Sequence, residues 1–342
     1  MKLSISRAPA RAAVLAAITA RTFVTMTVDA PPTHNGAYLC PLIAAALALP
    51  WLLCVRALNR RLDARAVTAL SAALLPLVLL DAAVTAGEIT GSAGYLALDR
   101  VPERLLLLPV CAAALWCVFR NGNTMGYAAM LWARLFPLLL ILIVALQAQC
   151  LRPEWLRPLL GSGWHAIWEG GVRLAGRILP CSALLLIAEG REDAPERRGT
   201  TTSTLLTGAL VSALLILLHR MMVPTPIREA GWLKRLDDLL TNGRAPLYLQ
   251  LPMICAWYAG LLHLLACECF AGATLLQRLL PRLGGRQCAL LSVAAVALAA
   301  AFLPVIDIAE MLSPWQYIAV APLTALITFV AAGRKGGAAS CA

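Results

Sequence analysis

The stretch from Trp164 to Glu189, WHAIWEGGVRLAGRILPCSALLLIAE, most constrains what this chain can become. It is long enough to cross a bilayer, since about 20 residues rising about 1.5 Å each suffice. Yet it carries Glu169, Arg173 and Arg177, with Pro180 near its middle. A lipid-facing helix does not keep two arginines there, because each costs about 2.5–3.5 kcal/mol even on the lenient insertion scale. Pro180 lacks an N–H and its ring crowds the carbonyl four residues back, so the helical ladder is interrupted. An interrupted, charged span inside a helix bundle points to a transporter-type binding site. The competing reading is a proline-kinked helix whose charges only lock packing.

The rest of the chain agrees with a membrane setting. Of its 342 residues 60% are hydrophobic and 14% charged, with a mean hydropathy of +0.76. Soluble domains carry about 25% charged residues, so the composition leaves little room for a soluble domain. The net charge of +11 then reads as arginine stacked on cytoplasmic loops rather than a nucleic-acid footprint. The 11 cysteines form no CxxC pair and no Cys/His spacing suited to zinc, and read as small packing residues. No nucleophile elbow, P-loop or HExxH is present, so neither an enzyme nor a cofactor or metal is expected.

Apolar periodicity predicts one all-α integral membrane domain over residues 1–342, with ten spans. These are residues 9–28, 38–55, 66–89, 104–119, 125–146, 164–189, 201–219, 246–276, 288–303 and 315–331. Between spans seven and eight, Leu233, Leu236 and Leu240 recur at helical spacing while Arg228, Arg235 and Asp237 fill other faces. That pattern predicts an amphipathic surface helix over about residues 227–242. With the N-terminus inside, Arg56, Arg60, Arg61, Arg278, Arg282 and Arg286 fall on the inner side, as the positive-inside rule asks. Both termini are then cytoplasmic. Arg220 falls on the outer side.

This topology brings Arg21, Asp81, Arg177 and His263 to one depth on four different spans. A shared central cavity explains the coincidence better than four separate accidents. Isolated charges there would fail to insert, so Asp81 is expected to pair with Arg21 or Arg177. The other arginine, with Thr22, Ser182 and His263, would then meet a ligand, its carboxylate held by a guanidinium and by free N–H groups after the break. Glu88 shares a helix face with Asp81 but is expected near the outer mouth, in solvent. A structural ion pair without a ligand is the alternative.

Several short motifs then resemble one family. Ile5-Ser6-Arg7 enters span one, and Ala37-Tyr38-Leu39-Cys40-Pro41-Leu42 opens span two. Ala133-Arg134 lies in span five, and Leu151-Arg152-Pro153 to Leu159-Leu160-Gly161 precedes span six. Pro226-Ile227-Arg228, followed by Leu233-Lys234-Arg235-Leu236-Asp237-Asp238-Leu239-Leu240, is similar to a Pro-x-Arg and Glu-Arg-Leu-Asp segment. Together they resemble the spore-germination permeases, the B subunits of nutrient germinant receptors, a branch of the amino acid–polyamine–organocation transporters. The resemblance runs over nearly the whole chain. It implies two inverted five-helix repeats with helices 1 and 6 discontinuous. It also implies a small amino-acid-like nutrient as ligand, A-type and lipoprotein C-type subunits as partners, and residence in the inner membrane of the spore. Lys234 departs from the family's glutamate, and Ala20-Arg21-Thr22 stands where span one usually has a glycine-containing break. A secondary amino acid or amine transporter using Asp81 or Glu88 for proton coupling, and a structural scaffold, are the other functions that fit.

Overall fold

The structure is a computed structural model. It describes residue 5 and residues 7–27, 34–61, 64–96, 101–120, 122–146, 152–161, 163–178, 180, 200–222 and 247–303, with residues 308, 311–312 and 318–319. Among the described residues it is all-helical, with no strand. The elements are α1 (Arg7–Thr27), α2 (Cys40–Arg61), α3 (Ala64–Leu96), α4 (Glu103–Phe119), α5 (Gly122–Leu146), α6 (Trp164–Ile178), α7 (Thr200–Met222), α8 (Leu247–Leu279) and α9 (Gly285–Phe302). Span ten apart from residues 318–319, the surface helix with Arg228, Arg235 and Asp237, and Ser182 lie outside the described residues.

The side-chain distribution is that of a membrane bundle. Along α7, Leu206, Leu210 and Leu214 recur every four residues and are exposed, while Leu205, Ala209, Ser212 and Ile216 are buried. Leucines facing outward while the polar Ser212 faces inward invert the pattern of a water-exposed helix. Four stretches are long and apolar enough to cross a membrane: Asn35–Leu53, Leu70–Ala93, Tyr258–Leu279 and Gly285–Phe302. Arg104–Phe119 and Gly122–Trp132 pass the same test together, with an angle of 111° between them. The chain is a multi-pass membrane protein.

Small residues let the helices approach closely. Ala10, Ala13, Ala16, Ala17 and Ala20 of α1 are buried, as are Ala82, Ala83 and Ala86 of α3. Helix α1 packs against α5, α7 and α8; α2 packs against α6 and α7; α8 also packs against α3, α4 and α9. Glycines mark the tightest crossings. A Cβ on Gly171 of α6 would stand 2.5 Å from Ile43 Cγ2 on α2, and one on Gly272 of α8 would stand 2.7 Å from Ser292 Oγ on α9.

Proline behaves differently along the chain. Pro50, Pro76 and Pro109 sit inside α2, α3 and α4 without ending them, because a packed membrane helix re-satisfies the freed carbonyl through its neighbours. Helix α6, in contrast, spans Trp164–Ile178, and the buried Pro180 lies two residues beyond it. The expected break in helix 1 is corrected: α1 runs through Ala20-Arg21-Thr22 without interruption. No glycine lies in Arg7–Thr27, and its proline, Pro9, falls in the first turn, where a missing N–H costs nothing.

Candidate functional site: a buried arginine–carboxylate centre

Helix α3 supplies one wall of the site. Asp81, Thr85 and Glu88 follow at spacings of four and three, which stacks them on one face of a helix. The Thr85 hydroxyl lies 2.9 Å from the Asp81 carbonyl oxygen one turn back. This local contact fixes Oγ1 toward the bundle interior.

Arg21 of α1 reaches into that face. Its side chain is 0% exposed. Its Nη2 lies 3.0 Å from Asp81 Oδ1 and 3.1 Å from Glu268 Oε1, and donates to Thr85 Oγ1 at 2.6 Å. Its Nη1 lies 3.3 Å from Glu88 Oε2. One guanidinium thus ties α1 to α3 and α8. The planar five-donor fork of arginine suits this, where a lysine would offer one compact ammonium.

Helix α8 closes the opposite side. Glu268, 2% exposed, has Oε1 on Arg21 and Oε2 at 2.9 Å from Thr85 Oγ1. Helix α6 adds Arg177 in its last turn, buried, with Nη1 at 3.5 Å from Asp81 Oδ1. Asp81 Oδ1 therefore serves both arginines, the Arg21 contact being the tighter.

Asp81 was expected to pair with one arginine or the other, and it meets both. Arg21, Asp81 and Arg177 do converge on one place. Thr22 is adjacent to Arg21 in sequence and fully buried, and its hydroxyl has no hydrogen-bond partner among the described residues; the buried Ser212 hydroxyl on α7 likewise has none there. His263 is placed elsewhere: its Nε2 lies 3.2 Å from Cys267 Sγ, one turn along the same helix. No described contact links it to the centre, because five residues along α8 turn it away from the face that carries Glu268.

One expectation about exposure is corrected. Glu88 is not solvated at the outer mouth; its side chain is 9% exposed and paired with Arg21. The two turns that put it beside Asp81 also put it within reach of one long guanidinium. Arg220 is buried at the end of α7, which continues to Met222, and the last turn packs on the connection before α6, with Arg152 N–H bonded to Met221 O at 3.0 Å.

Thr85 and Glu268 were missed as site residues. Thr85 was findable as the residue between Asp81 and Glu88 on their shared face. Glu268 was findable as a carboxylate in an apolar span, where ionisable groups are functional by default. Among the described residues no group of three or more His, Cys, Asp or Glu is arranged to hold a metal ion.

The centre can exchange partners. Each buried charge is compensated by others on different helices, so a ligand that replaces one contact also loosens one helix from another. Removing a partner without replacement leaves an uncompensated charge, which is costly at this depth.

No family model matches the chain, and no curated protein shows significant similarity to it.

Proposed function

We propose that the protein is a membrane subunit that binds a small amino-acid-like nutrient at the Arg21–Asp81–Glu268 centre and acts within a spore germinant receptor. The observation that carries solute binding is the mixed charge of one buried site. Guanidiniums from α1 and α6 stand against carboxyls from α3 and α8, with no charged contact longer than 3.5 Å. A zwitterion offers each side a partner. Its carboxylate would draw Arg177 from its longer contact with Asp81, in a charge-assisted pair, while its ammonium would meet the carboxyls left behind.

The receptor half of the proposal rests on the resemblance to germination permeases. It includes ten spans in inverted repeats, both termini cytoplasmic, location in the inner membrane of the spore, and A-type and C-type partner subunits. Arg228, Arg235 and Asp237 would lie where those partners touch, and Leu236→Glu should lower co-purification with them.

Secondary transport is the second reading. Asp81 and Glu88 on one buried face favour it, since a carboxylate beside a solute site can couple solute to a proton.

A ligand-induced melting shift against a panel of amino acids tests the binding. The parent protein should be stabilised by at least one of them, and Arg177→Gln should lose that shift while remaining inserted in the membrane. An equal shift in Arg177→Gln would sink the assignment. Uptake of the stabilising amino acid into proteoliposomes would favour transport, and binding without uptake would favour sensing. For topology, Arg157→Cys should be labelled from outside and Arg282→Cys should not; the reverse pattern would remove the ten-span arrangement.

A further inference from the structure

The carboxyls of Asp81 and Glu268 face each other across the contact between α3 and α8, two of the most extensively packed helices of the bundle. Both are drawn to the same nitrogen, Arg21 Nη2, at 3.0 and 3.1 Å. That nitrogen has only two hydrogens, and Thr85 Oγ1 takes one of them at 2.6 Å. Arg177 supplies Asp81 Oδ1 and Thr85 supplies Glu268 Oε2, so the pair is short of a donor at its remaining oxygen. The shortage shows at one atom: Asp81 Oδ2 is buried and receives no hydrogen bond from the described residues. The Asp81 carboxyl is held close to that of Glu268, because both contact the one guanidinium nitrogen. Two carboxylates at that separation repel each other, whereas one O–H between them turns the contact into a strong hydrogen bond.

We infer that Asp81 and Glu268 form a binding site for one proton, held between their carboxyls and taken up from solvent. The O–H donor gives Asp81 Oδ2 the partner it otherwise lacks. It also removes one negative charge from a place too dry to carry both. The surrounding groups are consistent with one proton rather than two. Arg21 from α1 contacts both carboxyls, Arg177 from α6 contacts Asp81, and Thr85 from α3 contacts Glu268. These keep the remaining negative charge stabilised. Glu88 of α3 lies on the other guanidinium nitrogen, Nη1. Beside Glu268 on α8, Cys267 and Cys269 are buried thiols neighboured by Cys117 and Cys111 of α4, and thiols leave the charge balance unchanged. On α9, Ser292 Oγ donates to the Cys269 carbonyl at 3.0 Å.

This inference does not depend on solute binding, and its test uses no solute. Infrared difference spectra of the purified full chain in lipid, recorded as pH is stepped upward, report a protonated carboxyl as a carbonyl band well above the carboxylate bands. The parent should show one such band near neutral pH, moving to lower frequency in heavy water and disappearing in alkali. Glu268→Gln and Asp81→Asn should each abolish it, and Glu88→Gln should leave it in place. Absence of the band in the parent at neutral pH would overturn the proton site. So would its survival in both Glu268→Gln and Asp81→Asn. Should those two variants fail to fold, the conservative Asp81→Glu and Glu268→Asp decide: each should shift the band's frequency, and an unshifted band in both would overturn the proton site.

Discussion

Two arginines one turn apart on α6 live in different worlds. Arg173 Nη2 lies 2.8 Å from Glu169 Oε1, and the two side chains are 44% and 47% exposed. Arg177 Nη1 lies 3.5 Å from Asp81 Oδ1, and its side chain is 6% exposed. By distance alone the outer pair looks the stronger. Its surroundings reverse that ranking. An exposed i, i+4 pair contributes about 0.3–0.5 kcal/mol, because water or headgroups already solvate both ends. A buried pair has given up that solvation, so losing one partner costs about 3–5 kcal/mol. In this bundle burial, not ångströms, decides which charges matter.

The largest expected effect follows at Arg21, the hub of the buried group. Arg21→Met would leave Asp81, Glu88 and Glu268 without the guanidinium that contacts all three. Unfolding in detergent should show a loss of about 3–5 kcal/mol, and Arg21→Lys should recover only part of it, since one compact ammonium cannot reach three carboxylates on two helices as the guanidinium fork does. A melting curve for Arg21→Met that overlays the parent would mean the buried group contributes no more than the exposed pair.

A smaller effect should come from moving α6 without touching a charge. Gly171 lies two residues before Arg173 and backs onto α2, where an added Cβ would stand 2.5 Å from Ile43 Cγ2 and 2.7 Å from Ile43 Cβ. Those atoms sit close to the α2 backbone and have little freedom to swing aside. Gly171→Ala should cost about 1–3 kcal/mol by overpacking. If Arg177 depends on α6 lying tight against α2, the same change should weaken the response to solute, while the exposed Arg173–Glu169 pair stays as it was. A stability loss with an unchanged solute response would uncouple Arg177 from helix position.

Much of this arrangement was legible in the sequence, and the physics says which part. Apolar length against hydrocarbon thickness marks helices such as α3 and α9, because lipid tolerates little else. Intramembrane charges are similarly legible: Arg21, Asp81 and Arg177 cannot stand alone, so a common meeting place followed from depth. What depth could not supply was azimuth. His263 shares an approximate level with the others, yet its side chain turns to Cys267, while Glu268, five residues on, turns inward. Glu88 looked like a mouth residue because its distance along α3 was counted without the reach of an arginine side chain. The break in α1 was expected from a family pattern although no glycine was there to make it, and a residue-by-residue reading of Arg7–Thr27 would have kept that helix whole.

The smallest expected effect is also the one that tests the comparison most directly. Glu169 and Arg173 stand at i, i+4 on α6, the glutamate nearer the N-terminus, which is the favourable order with respect to the helix dipole. Their 2.8 Å contact is shorter than any ion pair of the buried centre among the described residues. If distance set the energy, a double-mutant cycle with Glu169→Ala and Arg173→Ala would return a coupling comparable to that of Arg21 with Asp81. Exposure argues otherwise: both side chains are nearly half accessible, so each finds other solvation when its partner is removed. The coupling should be no more than about 0.5 kcal/mol and should shrink further in high salt, since accessible charges are screened over about 10 Å at 0.1 M. A coupling above about 1.5 kcal/mol that salt does not reduce would show that this face of α6 is covered in the folded protein at work. The contrast between the two arginines of α6 would then have to be redrawn around whatever covers it.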